Sequence, residues 1–72
     1  MIILEDEKKI LEKNNINVEK YIQSNDLNGL LSEIDDLITY AGFDEDYLLN
    51  EFGEKIQKIY DDIFIRNGKY QW

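Results

Sequence analysis

Seven apolar side chains between Asp26 and Gly42 fall on one stripe: Leu27, Leu30, Leu31, Ile34, Leu37, Ile38 and Ala41. Spacings of three and four residues put them on the same side of an α-helix, and a β-strand would scatter them over both faces. The chain has no proline to interrupt such a helix. Asp26 stands where a side chain can cap the free amides of the first turn, and Gly42 stands where a left-handed residue can end the helix. The sequence therefore predicts a helix over about 26–41.

A second stripe, Phe52, Ile56, Ile59, Tyr60, Ile63 and Phe64, predicts a helix over about 50–66. Asn50 is its cap, Leu49 a candidate staple against the first turn, and Asn67-Gly68 its stop signal. Gly53 is a local weakness in that first turn. The N-terminal third is patterned less clearly. Residues 5–13 are rich in helix formers, but the apolar positions Ile3, Leu4, Ile10 and Leu11 skip a turn. Asn14-Asn15 breaks the segment, and Asn17 caps a short one in which Val18, Tyr21 and Ile22 face inward. Residues 43–49 form a connector, read as a single turn capped by Asp44. The expected fold is an all-α, three- to four-helix bundle in which residues 1–72 make a single domain.

At 72 residues the chain is near the lower limit for a self-sufficient core. It has no cysteine and no histidine, so neither disulfides nor the common zinc constellations can stiffen it. Stability must come from helix packing, caps or a partner. The longest apolar run, Met1–Leu4, is far short of the ~20 residues of a membrane span. It is followed by acids rather than preceded by bases, unlike a signal peptide. The expected compartment is the cytoplasm, with no membrane contact.

Charge is distributed unevenly. No base occurs between Lys20 and Lys55, while the 34 residues of that window carry nine carboxylates. Outside it seven acids face eight bases, so the formal charge of −8 originates in the middle of the chain. The flanking helices can balance themselves through the i, i+4 pairs Glu5–Lys9, Glu51–Lys55 and Glu54–Lys58, each worth about 0.2–0.5 kcal/mol. The middle helix has no such compensation. Opposite its apolar stripe run the rows Gly29, Glu33, Asp36, Tyr40 and Asn28, Ser32, Asp35, Thr39. Asp44, Glu45, Asp46 and Tyr47 follow in the connector. Glu33, Asp35, Asp36, Asp44, Glu45 and Asp46 are thus the candidate electrostatic contacts for a basic partner, with Tyr40 and Tyr47 as anchors. The bland reading is a solvated face that keeps a small protein soluble.

Other chemistry finds little footing. Asp44-Glu45-Asp46 would open a calcium loop only if an oxygen ligand and a glycine followed at the fifth and sixth positions, where Leu48 and Leu49 stand. No histidine serves Ser24, Ser32 or Thr39 as a base, and the four glycines are scattered rather than gathered into a phosphate loop. No catalytic, metal or cofactor residue is assigned, and the protein is not read as an enzyme. Direct nucleic-acid binding is disfavoured because phosphates would be repelled. Lys8, Lys9, Lys13 and Lys20 are interleaved with Glu5, Glu7 and Glu12 and read as a solvated face. Tyr70 and Trp72 read as an aromatic pair sealing an edge of the core.

The stretch Leu30–Asn67 covers about half the chain. Its run from Asp44 to Gly53 (Asp-Glu-Asp-Tyr-Leu-Leu-Asn-Glu-Phe-Gly), continuing to Ile59-Tyr60-Asp61-Asp62-Ile63, resembles small acidic proteins of low-GC Gram-positive bacteria and their mobile elements. Such proteins often resemble immunity proteins. In class the chain is also similar to nuclease-toxin immunity proteins, small acidic helical bundles that block a basic nuclease with carboxylates and tyrosines. The resemblance implies an inhibitor that neutralises a bacterial toxin by covering its basic surface. A phage-encoded anti-CRISPR or other DNA-mimic inhibitor would use the same surface physics. A structural helical subunit or homodimer, its acids a mere solvent face, is the third reading.

Overall fold

The computed structural model describes residues 1–46 and 48–68. Four helices follow one another: α1 (Glu5–Lys13), α2 (Val18–Ser24), α3 (Leu27–Ala41) and α4 (Glu51–Arg66). Among the described residues there is no strand, only an isolated antiparallel bridge between Phe43 and Leu49. The all-α reading of the sequence holds, and both principal helices lie where their stripes place them.

Side-chain caps fix the helix starts. Asn17 accepts from the Lys20 amide (3.3 Å), Asp26 from Gly29 (3.0 Å) and Asn50 from Gly53 (2.7 Å). Each satisfies an amide that the helix itself leaves unpaired. Asparagine also ends the two short helices. Asn15 (φ 68°) and Asn25 (φ 51°) adopt left-handed backbone, which asparagine tolerates better than most residues. Gly68 (φ 71°) follows α4. Gly42 differs from expectation: its backbone is right-handed (φ −92°), so conformational freedom is not why glycine stands there.

The reason is a close approach. The Gly42 carbonyl lies directly against the α-carbon of Gly53, where a β-carbon would collide with it. A β-carbon on Gly42 would in turn stand 3.0 Å from the Gly53 α-carbon. Gly53 is therefore a packing requirement, and the end of α3 rests on the first turn of α4 with no side chain between. The connector closes over this contact. Asn50 N–H donates to the Gly42 carbonyl (2.8 Å), and the Asn50 side-chain amide donates to the Ala41 carbonyl (3.1 Å). Asp44 N–H donates to the Leu48 carbonyl (2.9 Å). The connector is thus a closed, bridged loop whose turn at Glu45 and Asp46 is capped by the Asp44 side chain, as its sequence suggests. Leu49 pairs its backbone with Phe43 and stays partly exposed instead of stapling α4.

The core gathers Leu11, Ile16, Val18, Tyr21, Leu30, Leu31, Ile34, Ile38, Ile56, Ile59 and Ile63. Helix α3 packs on both α4 and α2, and α1 packs on α2. Isoleucine occupies the centre of the α4 stripe, while Phe52, Tyr60 and Phe64 line its half-buried margin. The Tyr60 and Phe64 rings stack with centroids 6.1 Å apart. The predicted sealing by Tyr70 and Trp72 lies outside the described residues.

Among the described residues one charged side chain is buried. Glu7 is 7% exposed and accepts three hydrogen bonds: from Leu4 N–H (3.0 Å) and from both terminal nitrogens of Arg66 (2.7 and 2.9 Å). Asn67 adds a reciprocal pair with the backbone of Ile2 (2.6 and 3.0 Å). Together these polar contacts tie the N-terminal segment and α1 to the far end of α4. A planar guanidinium suits the task because it meets both carboxylate oxygens at once.

Two stability predictions follow from these contacts. Alanine normally favours a helix over glycine by about 1 kcal/mol, yet Gly53→Ala should destabilise the fold by about 1–3 kcal/mol through overpacking. Urea denaturation gives the sign directly, and a stabilised variant would refute the close packing of α3 and α4. Arg66→Met should lower stability by about 1–3 kcal/mol, because Glu7 keeps its burial and loses its partner. The double variant Glu7→Gln/Arg66→Met should recover part of that loss in the same assay.

Candidate functional site

The acidic window folds into the outer face of α3 and the connector beyond it. Asp35, Asp36 and Tyr40 are exposed on α3, and Asp44, Glu45 and Asp46 are exposed on the loop. Tyr40 is 91% exposed, an unusual state for a large aromatic side chain at the end of a helix. The remaining anchor candidate, Tyr47, lies outside the described residues.

The eight candidate residues do not act alike. Asp44 spends its carboxylate on the loop: one oxygen accepts from the amides of Asp46 (2.9 Å) and Leu48 (3.2 Å). This side chain shapes the connector, as aspartate commonly does in turns. Glu33 is half-buried beside α2. It interacts with the Tyr21 hydroxyl of α2, and hydrogen bonding to this carboxylate, followed by desolvation, raises the tyrosine pKa above its ordinary value. Asp35, Asp36, Glu45 and Asp46 have no such structural task among the contacts of the described residues. They are the free acidic component of the face.

The expected self-neutralisation takes a different form. Among the described residues the ion pairs are Lys8–Glu19 (2.9 Å), Lys58–Asp62 (3.0 Å) and Arg66–Glu7 (2.7 Å). Glu5–Lys9, Glu51–Lys55 and Glu54–Lys58 are not among them. Lys58 reaches forward to Asp62, itself an i, i+4 partner, instead of back to Glu54; exposed pairs of this kind gain little in either direction. Lys8 bridges α1 to α2; its hydrogen bond to Glu19 raises its own pKa and lowers that of the glutamate. Lys20 lies over the Tyr21 ring, 5.3 Å from its centroid. Each of these bases belongs to α1, α2 or the body of α4. None of the ion pairs neutralises the outer face of α3 or the connector.

Apolar exposure supplies what the charge pattern did not predict. Seven large hydrophobic residues are exposed among the described residues, and four of them belong to this region: Tyr40, Phe43 (43%), Leu48 (64%) and Leu49 (37%). Phe43 and Leu49 sit opposite each other across the bridge, where directly paired residues point to the same side. Periodicity placed Tyr40 on the outer row of α3 but could not show that Phe43, Leu48 and Leu49 are exposed, since a connector has no stripe. The readable signal was three large apolar residues in a seven-residue connector that also carries three acids. Glu51, exposed in the first turn of α4, adds an acid beyond the loop.

Among the described residues no group of three or more acids is arranged to hold a metal ion. No helix there is long and apolar enough to cross a membrane. No family model matches the chain, and neither the curated proteins nor the solved structures contain a match to it.

Tyr21 offers a direct check on the division of labour among the acids. Because its folded pKa is raised, its contribution to stability is complete below the ordinary value of 10.0 and is lost as pH rises through the folded value. Glu33→Gln should bring the Tyr21 titration, followed by ring-carbon NMR, back toward that ordinary value. An unchanged titration would return Glu33 to the free acidic face.

Proposed function

We propose that the protein acts by binding, as an acidic inhibitor that covers the basic surface of another protein. The reading favoured here is an immunity protein that neutralises a bacterial toxin, with a nuclease as the toxin. The observation that carries it is the exposed outer face of α3 continuing into the connector. Asp35, Asp36, Glu45 and Asp46 are exposed there, no base interrupts the sequence window, and Tyr40 stands among them almost fully exposed.

A nuclease must present cations to bind phosphate, and a carboxylate face meets those same cations. Acids of one sign steer encounter with such a surface, and a tyrosine adds contact area at low entropic cost. Its place of action is then the cytoplasm, where a nuclease would reach the cell's nucleic acid. A phage-encoded inhibitor that imitates DNA charge would use the same carboxylates; it differs in the enzyme suppressed. Pairing of two copies through this face is opposed by like charge, which argues against the homodimer reading at this site.

The immobilised chain should retain a basic nuclease from a lysate of its source cells at low salt, and the purified chain should suppress that nuclease stoichiometrically. The variant Asp35→Lys/Asp36→Lys/Asp46→Lys should lose at least about tenfold in affinity, some 1.4 kcal/mol. Asp44 is left untouched because its reversal would open the loop. Undiminished capture and inhibition by the triple variant would end the proposal.

A further inference from the structure

The acids are not the whole of this face. Tyr40, Phe43, Leu48 and Leu49 are exposed within ten positions of one another, and the bridge holds Phe43 and Leu49 on one side of the loop. Carboxylates flank them in sequence: Asp36 on the helix, Glu45 and Asp46 within the loop, and Glu51 on the first turn of α4. The loop that carries them is closed by the Phe43–Leu49 bridge, the two amides on Asp44 and the Asn50 contacts with Gly42 and Ala41. These contacts reduce the ordering entropy that Phe43, Asp44, Leu48 and Leu49 would lose to a partner.

Resting on the reading that this face binds a basic protein, we infer that the connector is an anchor site for a cationic amphipathic segment of that partner. In such a segment leucine-like side chains are interspersed with lysine or arginine. Charge complementarity selects this occupant. A purely cationic surface would leave four apolar side chains in water and gain nothing from them, while an apolar pocket without cations would strip water from Asp36, Glu45 and Asp46 without compensation. Nucleic acid and anionic lipid are repelled. A second copy would set these acids against their own equivalents. The apolar residues would govern how long the complex persists, and the acids how fast it forms.

The probes are two peptides with equal numbers of lysines, one built of lysine and serine, the other an amphipathic helix of lysine and leucine. At about 0.15 M salt, the leucine peptide should bind the full chain at least about tenfold tighter than the serine peptide. It should shift the backbone amide resonances of Phe43, Leu48 and Leu49. Phe43→Ser/Leu48→Ser, with helix content unchanged by circular dichroism, should erase the difference. Equal binding of the two peptides, shifts confined to other helices, or no binding at all would overturn the inference. So would the same amides shifting with protein concentration alone, which would make a second copy the occupant. Failures of the two proposals are distinguishable. If the charge-reversed triple variant loses both peptides while the peptides bind the native chain equally, the acidic face stands and the apolar anchor falls. If the leucine peptide docks as expected but no nuclease is captured, the anchor stands and the immunity reading falls.

Discussion

The contact between Gly42 and Gly53 is the constraint on which the rest of this architecture turns. Two backbones touch where α3 ends and α4 begins, and neither residue can carry a β-carbon without displacing the other. That contact sets the start of α4 against the end of α3, so that the stripe of Leu30, Ile34 and Ile38 and the stripe of Ile56, Ile59 and Ile63 share one core. It also brings the two ends of the connector together, where Asn50 N–H meets the Gly42 carbonyl. The connector's bridge, its aspartate-centred turn and its asparagine cap are ways of satisfying backbone groups in that short excursion.

The excursion is what gives the protein a distinctive surface. Most apolar side chains in the helices find places in the core or along its margin. Those in the loop cannot, because Phe43, Leu48 and Leu49 lie beyond the end of the packed helices. The same segment carries Asp44, Glu45 and Asp46, so apolar and acidic groups are mixed over a few residues. Elsewhere several charges are engaged by the fold. Glu7 holds Arg66, Glu19 holds Lys8, and Glu33 faces Tyr21. The acids thereby divide into some that build the structure and others that remain available, Asp35, Asp36, Glu45 and Asp46 among them.

Helical periodicity made α3 and α4 legible, since an amphipathic stripe has only one way to be buried. The caps Asn17, Asp26 and Asn50 were equally legible, because the requirement of unpaired first-turn amides is local. The reasons for the glycines were not. Gly53 read as a weakness and Gly42 as a left-handed terminator because propensity describes a helix alone, while both residues answer to a neighbouring helix. The ion pairs escaped for a related reason: exposed i, i+4 partners differ little in energy, so spacing alone does not choose Asp62 over Glu54 for Lys58, and Glu19 reaches Lys8 from another helix.

The candidate site divides in the same way. The sequence by itself determined that a base-free acidic segment would lie on the outer side of a helix and its following loop, since the apolar stripe fixes which side faces inward. Tertiary structure decided which members of that segment are free. Tyr21 lies beside Glu33 from another helix, which depends on how elements meet, whereas the claim of the loop's amides on Asp44 is the local cap its position already offered. It also decided that Phe43, Leu48 and Leu49 stand beside those acids. A residue in a connector has no period to announce its direction, and only the closure of the chain onto the Gly42–Gly53 contact turns those three side chains toward solvent.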